Sequence, residues 1–120
     1  MHVLPIVGIM AASLVVAIYK IQFLLIYPSS FPEGSRTEVD TPDMYGMSYT
    51  EDKLLTPDGE YIRVYTMPSK APSKTTVVFL APNGGNMGHY LPMAANVLEM
   101  GYNVVTLSYR GYGKSTGSPS

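Results

Sequence analysis

Cysteine is absent from the 120 residues, so the chain can hold neither a disulfide framework nor a thiolate metal site, and it is silent about redox compartment. Histidine is almost as scarce. His2 and His89 stand far apart without ligand spacing, and a metal enzyme is not expected. Charge is sparse and balanced, with eight Lys plus Arg against nine Asp plus Glu for a net charge of -1. No basic stripe interrupts that balance, so nucleic acid is not an expected partner. No internal repeat is visible.

Three catalytic or phosphate-binding signatures are incomplete or lack their setting. Ser115 stands in Gly113-Lys114-Ser115-Thr116-Gly117, which has the G-x-S-x-G spacing, but Thr116-Gly117-Ser118-Pro119 is a poor helix start, so the strand-to-helix elbow that exposes a nucleophile is not expected there; Ser108 lacks even the spacing. Gly113-Lys114-Ser115 supplies the end of a Walker loop, but Ser108 occupies the place of the required upstream glycine. Gly84, Gly85 and Gly88 miss the G-x-G-x-x-G spacing of dinucleotide folds. A small phosphate-binding module using Lys114 is therefore disfavoured, and no cofactor is expected.

What is present begins with hydrophobicity. Residues 3–18 are almost wholly apolar, and residues 21–27 continue the run after Lys20, broken only by Gln22. About 20 such residues in a helix cross the hydrocarbon layer. Lys20 can snorkel to the headgroups, Tyr19 and Tyr27 suit an interfacial belt, and Pro28 ends the helix. Residues 1–27 are thus expected to form a single-pass transmembrane anchor. A cleaved signal peptide would need a basic leading region that is missing, and a buried core helix would not be so evenly apolar. Lys20 and Arg36, on the C-terminal side, predict by the positive-inside rule that the soluble part is cytoplasmic.

Residues 28–47, rich in Pro, Ser, Gly and acids, lack any period and read as a linker. Residues 48–55 and 60–67 alternate as strands around Thr56-Pro57-Asp58-Gly59, a hairpin turn. A buried strand over 75–81 follows, then a glycine-rich loop over 82–88, a helix over 89–100 and a second strand over 103–107. Leu91, Ala94, Ala95, Val97 and Leu98 give that helix its apolar stripe; Pro92 is tolerable in the first turn and Gly101 supplies the cap. Met93 and Met100 are expected as core fillers. This order opens an α/β sheet, and a parallel sheet needs further crossover units before both faces are covered. The chain is accordingly expected to be the front of a larger enzyme, with about 90 residues for a small soluble core.

In Pro82-Asn83-Gly84-Gly85-Asn86-Met87-Gly88, closely spaced glycines let the backbone approach a bound group, and a strand end feeding a helix start aims N–H groups at one point. A mere strand-to-helix turn would use the same residues. Nothing beside His89 would make it a base, and it is expected to cap or pack.

The block from Ala81 to His89, followed by Gly101-Tyr102-Asn103-Val104-Val105 and by Tyr109-Arg110-Gly111-Tyr112-Gly113-Lys114-Ser115, resembles membrane-anchored α/β-hydrolases of the bud-emergence type, a group related to abhydrolase domain-containing protein 13. The resemblance runs from the anchor to Ser120. It implies a serine hydrolase fold in which residues 48–120 are the N-terminal part of a truncated α/β-hydrolase domain. The loop after Ala81 would then be the oxyanion loop, donating backbone N–H groups at Asn83 and Gly84. Many relatives of the wider fold begin this loop with His-Gly, whereas Pro82 has no N–H to give. By the same resemblance Tyr109 or Tyr112 lines the pocket, and Arg110 makes a structural ion pair or binds carbonyls in preference to an anionic substrate.

The nucleophile, acid and histidine of that family would all lie beyond Ser120. The chain alone is expected to be inactive, while the complete family member would hydrolyse a small acyl ester, thioester or amide. The alternative is a non-catalytic short membrane protein that binds a protein partner through an open sheet edge. Membrane lipid, met by the N-terminal helix, is a partner under either reading.

Overall fold

The computed structural model describes residues 3–119; His2 and Ser120, considered above, lie outside the described residues. Helix α1 runs Val3–Ile26 and buries none of its residues, unlike a helix packed into the described core. Its apolar window has a mean hydropathy of 2.1, and 24 residues at 1.5 Å each give about 36 Å, enough to cross a membrane.

Strand β1 (Thr50–Leu55) and strand β2 (Tyr61–Met67) form the expected antiparallel hairpin, with Leu55 opposite Tyr61. The Thr56 carbonyl accepts from the Gly59 N–H at 3.0 Å, and Gly59 takes a φ of 89°, the left-handed region that a side chain would strain. Strand β3 is Thr76–Phe79, shorter than expected. Helix α2 is Leu91–Glu99, preceded by a 3₁₀ turn, Met87–Tyr90, so helical winding starts before His89 but changes pitch at Leu91. Strand β4 is Asn103–Ser108. The sheet order is β1-β2-β4-β3, antiparallel except for the β3/β4 pair. That parallel pair, joined through α2, is the crossover unit.

Period-two alternation sends Tyr65, Met67 and Val104 to one face, where they meet Met87, Leu91 and Ala94 in the core. Tyr49 packs edge-on against Tyr65 at 5.2 Å. Burial pushes the Tyr65 hydroxyl up to about 12. The expectation for Met93 and Met100 is corrected: both lie on the outer side of α2 and its cap, 56% and 70% exposed, while Met47, Met67 and Met87 fill the core. Gly101 closes α2 as expected, at a φ of 90° with its N–H on the Leu98 carbonyl.

The segment following the anchor is more ordered than its composition suggested. A 3₁₀ turn, Pro42–Tyr45, ends at Gly46, and Val39 and Met47 belong to the core. Ser35 is buried as well. Isolated apolar residues in a Pro- and Gly-rich stretch give no period, yet each can still fill a gap against the sheet.

Candidate functional site: the glycine-rich loop and its cavity

Residues 80–86 leave the C-terminal end of β3, the place in a parallel sheet where ligands are usually held. The loop divides according to where its backbone donors go. Gly85 N–H reaches the Phe31 carbonyl at 2.8 Å, and Asn86 N–H reaches His89 Nδ1 at 2.9 Å. Met87 N–H reaches Ser108 Oγ at 3.0 Å, and Gly88 N–H reaches Asn86 Oδ1 at 2.9 Å. Asn83 and Gly84, the two predicted donors, are different: no acceptor among the described residues meets their N–H groups. Asn83 is exposed and Gly84 half-buried, and a Cβ on Gly84 would meet only the Phe31 carbonyl, at 3.5 Å.

Asn86 organises the rest and was not singled out in the sequence. Its buried side chain donates from Nδ2 to the carbonyls of Ser35 and Glu38, at 3.0 and 2.9 Å, while Oδ1 caps the 3₁₀ turn. With His89 returning to the Asn86 N–H, the pair forms a capping box. The usable signal was an Asn three residues before a polar acceptor at a helix start. His89 is thus a cap, as expected, and it accepts with the nitrogen that a base would need.

Ser108 and Ser115 are structural too. Both are buried; Ser115 Oγ donates to the Ser108 carbonyl at 2.6 Å and accepts from the Arg63 N–H at 2.9 Å. Arg110 makes the ion pairs its geometry suggested, with Asp58 and at 3.9 Å with Glu60, and its Nε donates to the Ser118 carbonyl at 3.0 Å. The Thr56 hydroxyl, and then Arg110, hold the Asp58 carboxyl below its ordinary value.

A cavity of about 600 Å³ opens beside the loop, within the size range of small-molecule sites. Ala81, Pro82 and Asn83 form one wall, Ile62 and Leu107 the floor from the sheet, and Tyr109 and Tyr112 the far side. Both tyrosines line it. Tyr112 OH donates to Asn83 Oδ1 at 3.0 Å, and burial, with a smaller contribution from Tyr27, raises its pKa. The lining is largely apolar and carries one unengaged backbone donor, at Asn83, with that of Gly84 next to it; among the described residues no serine, histidine or carboxylate lines it. Among the described residues, no group of His, Cys, Asp or Glu side chains gathers to hold a metal.

The cavity and loop sit on a fold found in known proteins. The chain is 48% identical over 108 residues to protein bem46 of Schizosaccharomyces pombe, an alignment covering 86% of the chain and 36% of that protein. It is 38% identical over 108 residues to the membrane protein YNL320W of Saccharomyces cerevisiae, covering 88% and 37%. With the α/β hydrolase domain-containing protein WAV2 of Arabidopsis thaliana it shares 31% over 115 residues, covering 94% and 37%. Among solved structures, the esterase Pf2001 of Pyrococcus furiosus superposes with a TM-score of 0.60 at 27% identity, over 68% of this chain and 32% of that one. No protein-family model matches. The chain belongs to the α/β-hydrolase superfamily, as a segment similar to its membrane-type members. It spans a little over a third of the length of the curated relatives named here.

Proposed function

We propose that the chain is the anchor and site-forming front of a single-pass membrane serine hydrolase, with residues 1–27 in the bilayer, 28–47 connecting and 48–120 opening the catalytic domain. The single supporting observation is the pair of unengaged N–H groups at Asn83, which lines a largely apolar cavity, and at the adjoining Gly84. Two such donors stabilise the oxyanion of a tetrahedral acyl intermediate, which forms in hydrolysis of an ester, thioester or amide. Backbone donors need no side-chain chemistry, so Pro82 before them is no obstacle.

Stabilising an oxyanion accelerates nothing until a nucleophile attacks, and neither Ser108 nor Ser115 is free to do so. The 120-residue chain is therefore proposed to be inactive alone. The chain, purified in detergent, is offered p-nitrophenyl butyrate and a fluorophosphonate probe. Hydrolysis at the rate of a protein-free blank and no labelling are expected. Turnover abolished by the probe would overturn the proposal of inactivity.

A second reading, a non-catalytic membrane protein with a protein partner, is favoured by the outer edge of β3. Among the described residues that strand pairs with β4 alone, and Val78 and Leu80 are exposed beside it. A partner strand added there would protect the outward amides of Thr76–Phe79 from hydrogen exchange.

A further inference from the structure

The cavity has one lining residue that does not come from the sheet or its loops: Tyr27, immediately after α1. It is half-buried there, its ring 5.3 Å from that of Phe23 on the last turns of the helix. The same junction touches the loop directly, because Asn83 Nδ2 donates to the carbonyl of Ile26, the final residue of α1. Phe31 then accepts from Gly85, so the chain leaving the helix remains against the loop. A helix of about 36 Å exceeds a hydrocarbon layer of about 30 Å, so its end reaches the headgroup level, where aromatic side chains are at home. The cavity therefore borders the bilayer surface.

Its chemistry selects what could come from that surface. The walls are Tyr27, Ile62, Pro82, Leu107, Tyr109 and Tyr112, and the charge on the lining residue Arg110 is already spent on Asp58 and Glu60. Tyr112 OH is spent on Asn83. What remains is a largely apolar volume with no unpaired charge, bordered by the unengaged N–H of Asn83 and next to that of Gly84, complementary to an acyl chain ending in a carbonyl and not to a headgroup phosphate. We infer that the site takes the acyl chain of a bilayer-resident lipid, admitted sideways along the end of α1, with its ester carbonyl at Asn83 and Gly84. This rests on the acyl-site reading above and adds the source of the acyl group.

The test uses the full chain in phosphatidylcholine nanodiscs in which a fraction of the lipid carries a diazirine on its acyl chain. After irradiation, adducts are mapped by mass spectrometry. A soluble hexanoyl ester bearing the same diazirine is offered separately to the same nanodisc-embedded chain. Lipid adducts on Ile62, Leu107, Tyr109 and Tyr112, severalfold above those on exposed β1, are expected. If lipid adducts stay within residues 3–27 while the soluble ester labels the cavity, the bilayer source is overturned and the acyl site stands. If neither probe labels the cavity, both fail.

Discussion

Asn83 and Gly84 share a loop with Gly85, Asn86, Met87 and Gly88, yet the two halves are built to opposite ends. In the second half every backbone donor is matched inside the protein and every residue is buried; in the first half the donors are unmatched and Asn83 borders a cavity. Glycine occurs in both. Buried backbone groups are nearly always paired, so an unpaired donor is informative only beside accessible space. The second half holds the loop's shape, and the first half presents it.

The strongest way to break this division is at Asn86. Asn86→Leu leaves the Ser35 carbonyl and the Gly88 N–H buried without partners and takes the donor from the part-exposed Glu38 carbonyl, and a loss of about 3 kcal/mol is expected from urea unfolding followed by near-UV circular dichroism. A loss under about 1 kcal/mol would mean that the second half is not the structural one. Alanine at the glycines sharpens the contrast. A Cβ on Gly88 would lie 2.6 Å from the Asp40 nitrogen, a backbone atom that cannot swing away, so Gly88→Ala should cost about 3 kcal/mol. Gly84→Ala, free of positive φ and of close contact, should stay within about 0.5 kcal/mol. Equal costs would erase the distinction.

The smallest effect concerns pH. Tyr112 holds Asn83 through its hydroxyl, and its folded pKa is raised above the ordinary value of 10.0 by burial. A raised folded value means that this stabilisation is whole below pH 10 and fades as pH climbs through the folded value. The side-chain amide resonances of Asn83 should shift in that alkaline window, and Tyr112→Phe should abolish the shift. A shift that persists in Tyr112→Phe would assign it elsewhere.

Much of the fold was legible because it rests on local periods: the hairpin around Pro57-Asp58-Gly59, the apolar stripe of α2 and its Gly101 cap all stand where alternation and turn chemistry put them. The early 3₁₀ turn was not legible, since the Asn86 that caps it is fixed by carbonyls some 50 residues earlier. The same long reach hid the packed role of Val39 and Met47, and the outward turn of Met93 was ambiguous at the margin of a stripe. Asn83 and Gly84 were named through the family resemblance, whereas the ion pairs of Arg110 were readable from its fork of donors. Tyr27 was read only as a membrane belt, because nothing local reveals that the end of an anchor closes a cavity.

The most direct test of the division is an amide NMR titration of the detergent-solubilised chain with butylphosphonate, an anionic tetrahedral mimic of the acyl intermediate. The N–H resonances of Asn83 and Gly84 should move downfield with saturation while those of residues 85–88 stay in place. Movement confined to residues 85–88, or none at Asn83 and Gly84 at saturating mimic, would contradict an oxyanion role for the open half of the loop.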